Sequence, residues 1–243
     1  MIEATLWGVF TASTLLLGSL AALRWSLPPK VVGWIMAFGA GALISAISFD
    51  LFQEAELTAE RPRVAFIGLA AGALVYFGGD WWLDKRGGDG RKDIQGDQPD
   101  SGAQGIVLGS ILDGIPESFV IGGSLVTGGG VSLGVVAAAF ISNIPEGLGS
   151  TAGLVTNGKT TRDIVLLWVK VIVISGVAAA AGYLLLDDAS PNLGAFAQSF
   201  AAGAMLTMIV DTMIPEAFEE GGKVSGLVTV LGFSVAVLIS SYS

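Results

Sequence analysis

The way in which charge is distributed along the chain limits its possible folds more than any other feature. Only 14% of the 243 residues are charged and 52% are hydrophobic, and the charges fall in short clusters between long apolar stretches. About a quarter of the residues of an ordinary soluble protein are charged. An α-helix needs roughly 20 mainly apolar residues to cross a bilayer. The pattern therefore predicts an all-α, polytopic membrane protein.

Eight apolar stretches are long enough to span a bilayer, which predicts an eight-helix transmembrane bundle forming one domain over residues 1–243. The connection at 84–102 is polar and rich in Gly and Asp, so we expect a mobile loop that divides the bundle into three helices and then five. The first stretch carries Glu3 and no leading basic residue, which favours an uncleaved span over a signal peptide. The predicted helices cover about 5–23, 31–52, 64–83, 103–127, 131–156, 163–186, 192–213 and 223–241.

The basic residues predict the orientation of the bundle, because Lys and Arg accumulate in cytoplasmic loops. With both termini outside, only Arg61 and Arg63 lie in outer loops, and the loop at 84–102 is an inner one. Omitting one span would invert every later loop and remove this asymmetry. Nine basic residues then lie in inner loops: Arg24, Lys30, Lys85, Arg86, Arg91, Lys92, Lys159, Arg162 and Lys223.

Two further features are typical of membrane helices. Trp81 and Trp82 stand beside Lys85, which predicts an aromatic anchor at the inner interface. Gly68 and Gly72 are four residues apart, and small residues at this spacing allow the backbones of neighbouring helices to approach closely.

The composition excludes several classes of chemistry. The chain contains no Cys and no His, which removes disulfides, thiolate metal sites, cysteine nucleophiles and every imidazole-dependent triad. Its net charge is −9 and its basic residues are scattered over short loops, so it has no electrostatic footprint for nucleic acid. We therefore expect neither an enzyme nor a protein with a resident cofactor.

The most informative residues are the ionisable ones inside the predicted spans. A charged side chain at the bilayer centre costs about 2.5–3.5 kcal/mol on insertion scales, so it needs a polar partner or cavity. Asp113 and Glu117 lie four residues apart on one face of the fourth span, with Pro116 between them. The fifth span repeats this pattern, since Pro145 lies between Asn143 and Glu146.

Each proline is expected to kink its helix and to free a carbonyl oxygen one turn earlier, at Leu112 and at Ile141. Two such helices can assemble an oxygen cage halfway across the membrane. Carboxylate, amide and carbonyl oxygens suit magnesium, calcium, manganese or ferrous iron, and zinc less well. The alternative is that these groups are protonated and structural. The candidate metal ligands are Asp113, Glu117, Asn143 and Glu146.

Other ionisable residues allow two interpretations each. Asp50 and Glu54 lie at the outer end of the second span, where they either line an entrance or form a solvated helix end. Lys170 lies about two turns inside the sixth span and either extends to the inner surface or pairs with an acid. Asp211 and Glu216 accompany a third proline at the inner end of the seventh span, where they line an exit or a wet loop.

Two apparent motifs are not accepted. Gly153–Thr160 reads GLVTNGKT and matches the phosphate-binding loop pattern, but that loop follows a buried strand, whereas this segment joins two spans. Gly79 and Asp80 weakly resemble intramembrane aspartyl proteases, although Asp80 lies close to the tryptophan anchor. We therefore assign no catalytic residues, and an aspartyl hydrolase using Asp80 and Asp113 remains a minor alternative.

Over essentially its whole length, the chain resembles the ZIP (Zrt/Irt-like) family of metal transporters, especially its bacterial branch. Members typically read His-Asn-x-Pro-Glu-Gly in the fourth span and His-(Asp/Glu)-x-Pro-(Glu/Gln)-Gly in the fifth. The corresponding segments here are DGIPES at 113–118 and SNIPEG at 142–147. The resemblance implies eight spans, outer termini, a variable loop after the third span and a metal site in the fourth and fifth.

The chain also departs from this pattern. Asp113 and Ser142 replace the two histidines, and Gly114 replaces the asparagine. In the sixth span, Ala179 stands where the family has a glutamate that helps to hold a second metal. We therefore expect one oxygen-only site in place of a binuclear site containing nitrogen ligands.

The resemblance implies a carrier in a cell membrane, of the bacterial inner type, in which spans one, four, five and six form the transport unit. Its substrate would be a divalent cation of the zinc, manganese, iron or cadmium class, moved inward without ATP. Its partners would be the cation and the lipid bilayer, and a homodimer is one assembly that it allows. The main rival is a ZIP-fold protein with a degenerate site that moves another solute or serves as a non-transporting partner, with Lys170 neutralising a vestigial acid.

Overall fold

The computed structural model describes residues 1–25, 27–85, 102–126 and 131–241, and within these ranges the chain forms helices and no strands. Most of the predicted loop at 84–102 lies outside the described residues. Eight helices are described, two of which contain a short π-helical segment. In chain order they are α1 (Ile2–Arg24), α2 (Pro29–Thr58), α3 (Arg63–Leu83), α4 (Gly102–Ser124), α5 (Leu133–Thr156), α6 (Thr161–Leu186), α7 (Pro191–Gly221) and α8 (Val224–Ser241).

The prediction of an all-α, multi-pass membrane protein is confirmed. Among the described residues, seven helices are long and apolar enough to cross a membrane, namely α1, α2, α3, α5, α6, α7 and α8. The helix α4 has 23 residues, about 34 Å at 1.5 Å per residue, and it carries Asp113 and Glu117 near its middle.

Helices α2 and α7 extend well beyond their predicted ends. The apolar pattern predicted ends near residues 52 and 213, whereas the helices continue to Thr58 and Gly221. The prediction stopped at charged residues, but an α-helix satisfies its own backbone hydrogen bonds and can continue past the apolar zone. Each long helix also contains a π-helical segment, Ala46–Gln53 in α2 and Ile209–Met213 in α7.

Four intimate helix pairs organise the bundle: α1 with α5, α4 with α6, α2 with α8 and α3 with α7. The same four pairs result when the helix labels are exchanged between two halves of the chain. The exchanges are α1 with α6, α2 with α7, α3 with α8 and α4 with α5. The two long helices with π-helical segments also correspond under this exchange. The contacts therefore have the pattern of a repeat that relates α1–α3 to α6–α8, an arrangement found in many secondary transporters.

Glycine makes each of the four pairs possible. In every pair, one glycine on each helix lies against a backbone carbonyl of the other, so closely that a Cβ at either position would overlap the carbonyl oxygen. Lipid gives no hydrophobic drive for association, and such close approach provides van der Waals and weak Cα–H···O contacts instead. The prediction for Gly68 and Gly72 is confirmed, since both pack on α7. The reciprocal pairs are Gly18 with Gly147, Gly122 with Gly182, Gly41 with Gly232 and Gly72 with Gly203.

The end of α3 has the expected character of a membrane interface. Trp81 and Trp82 are exposed, and the Nζ atom of Lys85 lies 3.4 Å from the centroid of the Trp81 ring. A cation over an indole face is a favourable contact that leaves the ammonium group accessible to water.

Candidate metal site

The prolines of α4 and α5 lie inside helices that remain α-helical around them. Pro116 is within Gly102–Ser124, and Pro145 is within Leu133–Thr156. Each is followed directly by a candidate acid. The freed carbonyls at Leu112 and Ile141 stay a prediction.

The four candidate ligands are all buried inside the protein and do not face lipid. Their exposed fractions are 2% for Asp113, 5% for Glu117, 6% for Asn143 and 7% for Glu146. Burial of charged or strongly polar groups is expensive unless they are hydrogen-bonded or bind an ion. Their common burial near the middle of two neighbouring helices therefore requires a polar partner for each.

Asn143 connects the two site helices. Its Nδ2 atom donates to Glu117 Oε1 at 3.3 Å, which links α5 to α4. The same nitrogen donates to the backbone carbonyl oxygen of Thr11 at 3.3 Å, which brings α1 into the site. Thr11 is itself buried, and its hydroxyl donates to carbonyl oxygens of the preceding turn. Glu117 and Asn143 are thus brought together as predicted.

Asp113 is engaged by a different helix. The hydroxyl of Tyr76 on α3 donates a short hydrogen bond to Asp113 Oδ1. Tyr76 is 2% exposed, so both partners are inside the protein. A buried carboxylate that accepts a hydroxyl hydrogen bond is held in one orientation.

The described side chains do not form a ready-made multi-carboxylate cage. Within the described ranges, no three His, Cys, Asp or Glu residues lie close enough together to hold a metal ion. Glu117 is paired with an amide and Asp113 with a phenol, while Glu146 is buried one turn along α5 from Asn143. The arrangement is therefore a polar centre in which Tyr76 donates to Asp113 and Asn143 donates to Glu117.

Two of the residues that depart from the ZIP pattern, Ser142 and Ala179, occupy packing positions. Ser142 donates to the Ala139 carbonyl oxygen at 3.1 Å and lies against Gly39 of α2. Ala179 is fully buried in the contact of α6 with Gly8 of α1 and Gly122 of α4. The position of the family's additional glutamate is therefore filled by backbone and small side chains in this chain.

The two carboxylates near the C-terminal end of α2, Asp50 and Glu54, also have defined neighbours. Asp50, in the π-helical segment, accepts a hydrogen bond from the Ser240 hydroxyl of α8 at 2.7 Å and packs against Gly134 of α5. Glu54 is hydrogen-bonded to Gln198 of α7, which is 6% exposed. These acids are thus embedded in contacts between helices and do not form a simple solvated helix end.

Asp211 and Lys170 lie at the opposite end of the bundle. Asp211 is exposed and close enough to Asp80 of α3 for their charges to repel each other. Asp80 is buried and lies one turn beyond Tyr76 on α3. Lys170 is exposed on α6 and has no ion-pair partner in the described part of the chain.

Sequence reasoning missed two contributors to the site, Tyr76 and Thr11. Tyr76 precedes Asp80 by four residues, so both fall on one face of α3, and this spacing was a usable signal. Thr11 participates through its carbonyl oxygen, which no side-chain pattern can indicate. Chemically, the centre offers carboxylate, amide and carbonyl oxygens, the ligand types that hard cations prefer. No protein-family model and no curated protein matches this chain.

Proposed function

We propose that this protein is a ZIP-like carrier that moves a divalent cation toward the cytoplasm through the polar centre of α4 and α5. One observation carries the proposal, namely the burial of Asp113, Glu117, Asn143 and Glu146 at mid-helix in a chain that is otherwise strongly apolar there. Ionisable residues inside a membrane bundle mark ion pathways by default, because each is costly to keep. The transported substrate would be a divalent cation of the zinc, manganese, iron or cadmium class.

Cation binding in this proposal requires a local rearrangement of Asn143. Its amide nitrogen now faces Glu117, and a nitrogen donor cannot ligate a cation. Rotation of the amide would present Oδ1 beside Glu117 Oε1, with the Thr11 carbonyl oxygen close by. Glu146, one turn along α5, would complete the set. The hydrogen bond from Asn143 to Glu117 then belongs to the cation-free state, in which the amide N–H group occupies the place of the cation beside Glu117.

The contacts between helices support a division of the bundle into a moving unit and a scaffold. Helices α1, α4, α5 and α6 are linked by the contacts of α1 with α5 and α6 and of α4 with α6, while α2 pairs with α8 and α3 with α7. Helix α2 also packs against α5. The hydrogen bond between Tyr76 and Asp113 joins the two groups at the level of the site. In alternating access, one bundle rocks or slides against the other around a fixed central site. Tyr76 would then be a contact that breaks or shifts during transport.

Metal uptake into proteoliposomes tests the proposal. The native chain should accumulate at least one of zinc, manganese, ferrous iron or cadmium, and the double variant Glu117→Ala with Glu146→Ala should abolish that uptake. Glu219→Ala is the matched control, because Glu219 is an exposed acid at the end of α7. Absence of metal-dependent flux in the native chain, or equal flux in the double variant, would contradict the proposal.

The orientation and the number of spans can be tested separately. The chain has no cysteine, so a single introduced cysteine reports its own accessibility. We propose eight spans with both termini outside, in the inner membrane of a bacterium. A membrane-impermeant maleimide added to intact cells should then label Arg61→Cys, and should label Lys223→Cys only after the cells are opened. Equal labelling of both variants would overturn this topology.

A second candidate function is a non-transporting ZIP-fold protein or a carrier of another solute. It is favoured by the absence of a three-acid group within the described ranges. The same uptake assay separates the two, since this candidate requires a well-folded native chain without flux of any of the metals. The exposed position of Lys170 argues against its suggested role as the neutraliser of a buried acid.

A further inference from the structure

A cavity of about 620 Å³ lies beside α6, and none of the four candidate metal ligands lines it. It is bounded by α4, the end of α5 and the first half of α6, through residues such as Leu108, Leu154 and Ile174. Leu108 is 42% exposed, so the cavity opens to the surface of the bundle. Its volume falls within the range of about 300–1,000 Å³ that is usual for small-molecule sites.

The mainly apolar lining of the cavity includes two lysines, Lys159 and Lys170. Both are exposed, and neither has an ion-pair partner among the residues that the structure describes. The acid that also lines the cavity, Asp163, is engaged at the start of α6. Its carboxylate accepts from the Thr160 hydroxyl at 2.6 Å and from the Thr160 backbone N–H at 3.3 Å. Asp163 also lies near enough to Lys159 for their charges to attract each other. The lining of the cavity therefore contains two cationic groups and one acidic group.

One lysine lies just before α6 and the other lies in its first half. Lys159 precedes α6, and Lys170 is nine residues after its first residue, about 13 Å along the axis. A lysine side chain at that depth extends toward the interface and places its ammonium group several ångströms nearer the surface. The two charges can then flank one phosphate at the boundary between headgroup and acyl chains.

We propose that this cavity binds one anionic glycerophospholipid of the leaflet at this end of the bundle. An acyl chain would lie along the apolar wall formed by α4 and α6, and the phosphate would lie between Lys159 and Lys170. An anionic lipid fits better than a zwitterionic one because the two lysine charges need compensation. It fits better than free phosphate because most of the lining is apolar and accessible from the bilayer. This inference does not depend on metal transport.

Native mass spectrometry of the full chain, released from nanodiscs of phosphatidylcholine with phosphatidylglycerol, tests the proposal. The native chain should retain one phosphatidylglycerol molecule in preference to phosphatidylcholine. Lys159→Gln and Lys170→Gln should each weaken retention about fivefold, which corresponds to about 1 kcal/mol per basic residue near an anionic surface. Lys223→Gln is the control, because it removes an exposed lysine from a different turn and should leave retention unchanged.

A second variant separates the cavity from general surface charge. Leu108→Trp enlarges a half-exposed side chain at the mouth of the cavity and should reduce retention without changing the charge. Equal retention in all variants, equal retention of both lipids, or displacement by millimolar inorganic phosphate would overturn the proposal. Uptake measurements play no part in this test, so failure here and failure of the transport proposal are distinguishable.

Discussion

The reciprocal glycine contacts make a sharp prediction about stability at Gly72. A Cβ added there would lie 2.7 Å from the carbonyl carbon of Phe200 and 3.0 Å from its Cα, and nearer still to its oxygen. These are backbone atoms of α7, so no side-chain rotation can relieve the overlap. Alanine at position 72 therefore forces α3 and α7 apart, and the opposite contact of Gly203 with Leu69 is disturbed as well.

The expected size of the effect follows from two opposing contributions. Overpacking of a close contact costs about 1–3 kcal/mol. Replacing glycine by alanine within a helix gains up to about 1 kcal/mol through helix propensity. Gly78, on the same helix, has open space around its Cα, so Gly78→Ala receives only the gain. The difference between the two variants should therefore be about 1–3 kcal/mol, with Gly72→Ala the less stable.

The assay is thermal unfolding of the two purified variants in one detergent, followed by tryptophan fluorescence. For a chain of this size, 1 kcal/mol corresponds to about 2–4 °C in Tm, so the two midpoints should differ by about 2–12 °C. Equal midpoints would show that α3 and α7 are not packed backbone to backbone. A higher midpoint for Gly72→Ala would refute the reasoning about glycine in all four pairs.

Three further predictions concern the polar centre. Tyr76→Phe should lower the free energy of unfolding by about 1–3 kcal/mol, since it removes the hydrogen bond that the buried Asp113 accepts from the Tyr76 hydroxyl; Tyr183→Phe, at a half-buried tyrosine, should have little effect in the same thermal unfolding experiment. Asn143→Ala should reduce metal uptake by about tenfold or more, measured as initial rates, because it removes a ligand and the partner of Glu117. Uptake should decline as the outer pH falls from 7 to 5, because protons compete with the cation for the carboxylate oxygens; a flat profile would contradict this.

The existence of the helices was predictable because apolar stretches of about 20 residues have few other stable arrangements in a membrane. The fourth helix carries two acids near its middle and was nevertheless predicted, from the apolar residues on either side of Asp113 and Glu117. Its place in the bundle comes from packing against α6, which depends on the glycines Gly122 and Gly182.

The candidate site was only partly predictable. The repeated pattern of acid and proline identified Glu117 and Asn143, and the structure confirms that they meet. Tyr76 was missed because tyrosine is unremarkable in an apolar span, and its role depends on which face of α3 turns toward α4. The π-helical segments were missed for a related reason, because one additional residue in a turn leaves no mark in an apolar sequence.

The same packing predicts that a glutamate at position 179 would not create a metal site. Ala179 is enclosed between α1 and α4, and a Cβ at Gly8 would already lie 2.6 Å from the Ala179 Cβ. Ala179→Glu should therefore cost about 1–3 kcal/mol through overpacking alone, and more through burial of a carboxylate. We expect a lowered Tm and no gain in bound metal per chain, measured by elemental analysis after dialysis. A stable variant that binds an additional metal ion would show that α1 and α4 can separate near residue 179. It would also show that the glycine contacts do not fix the distance between these two helices.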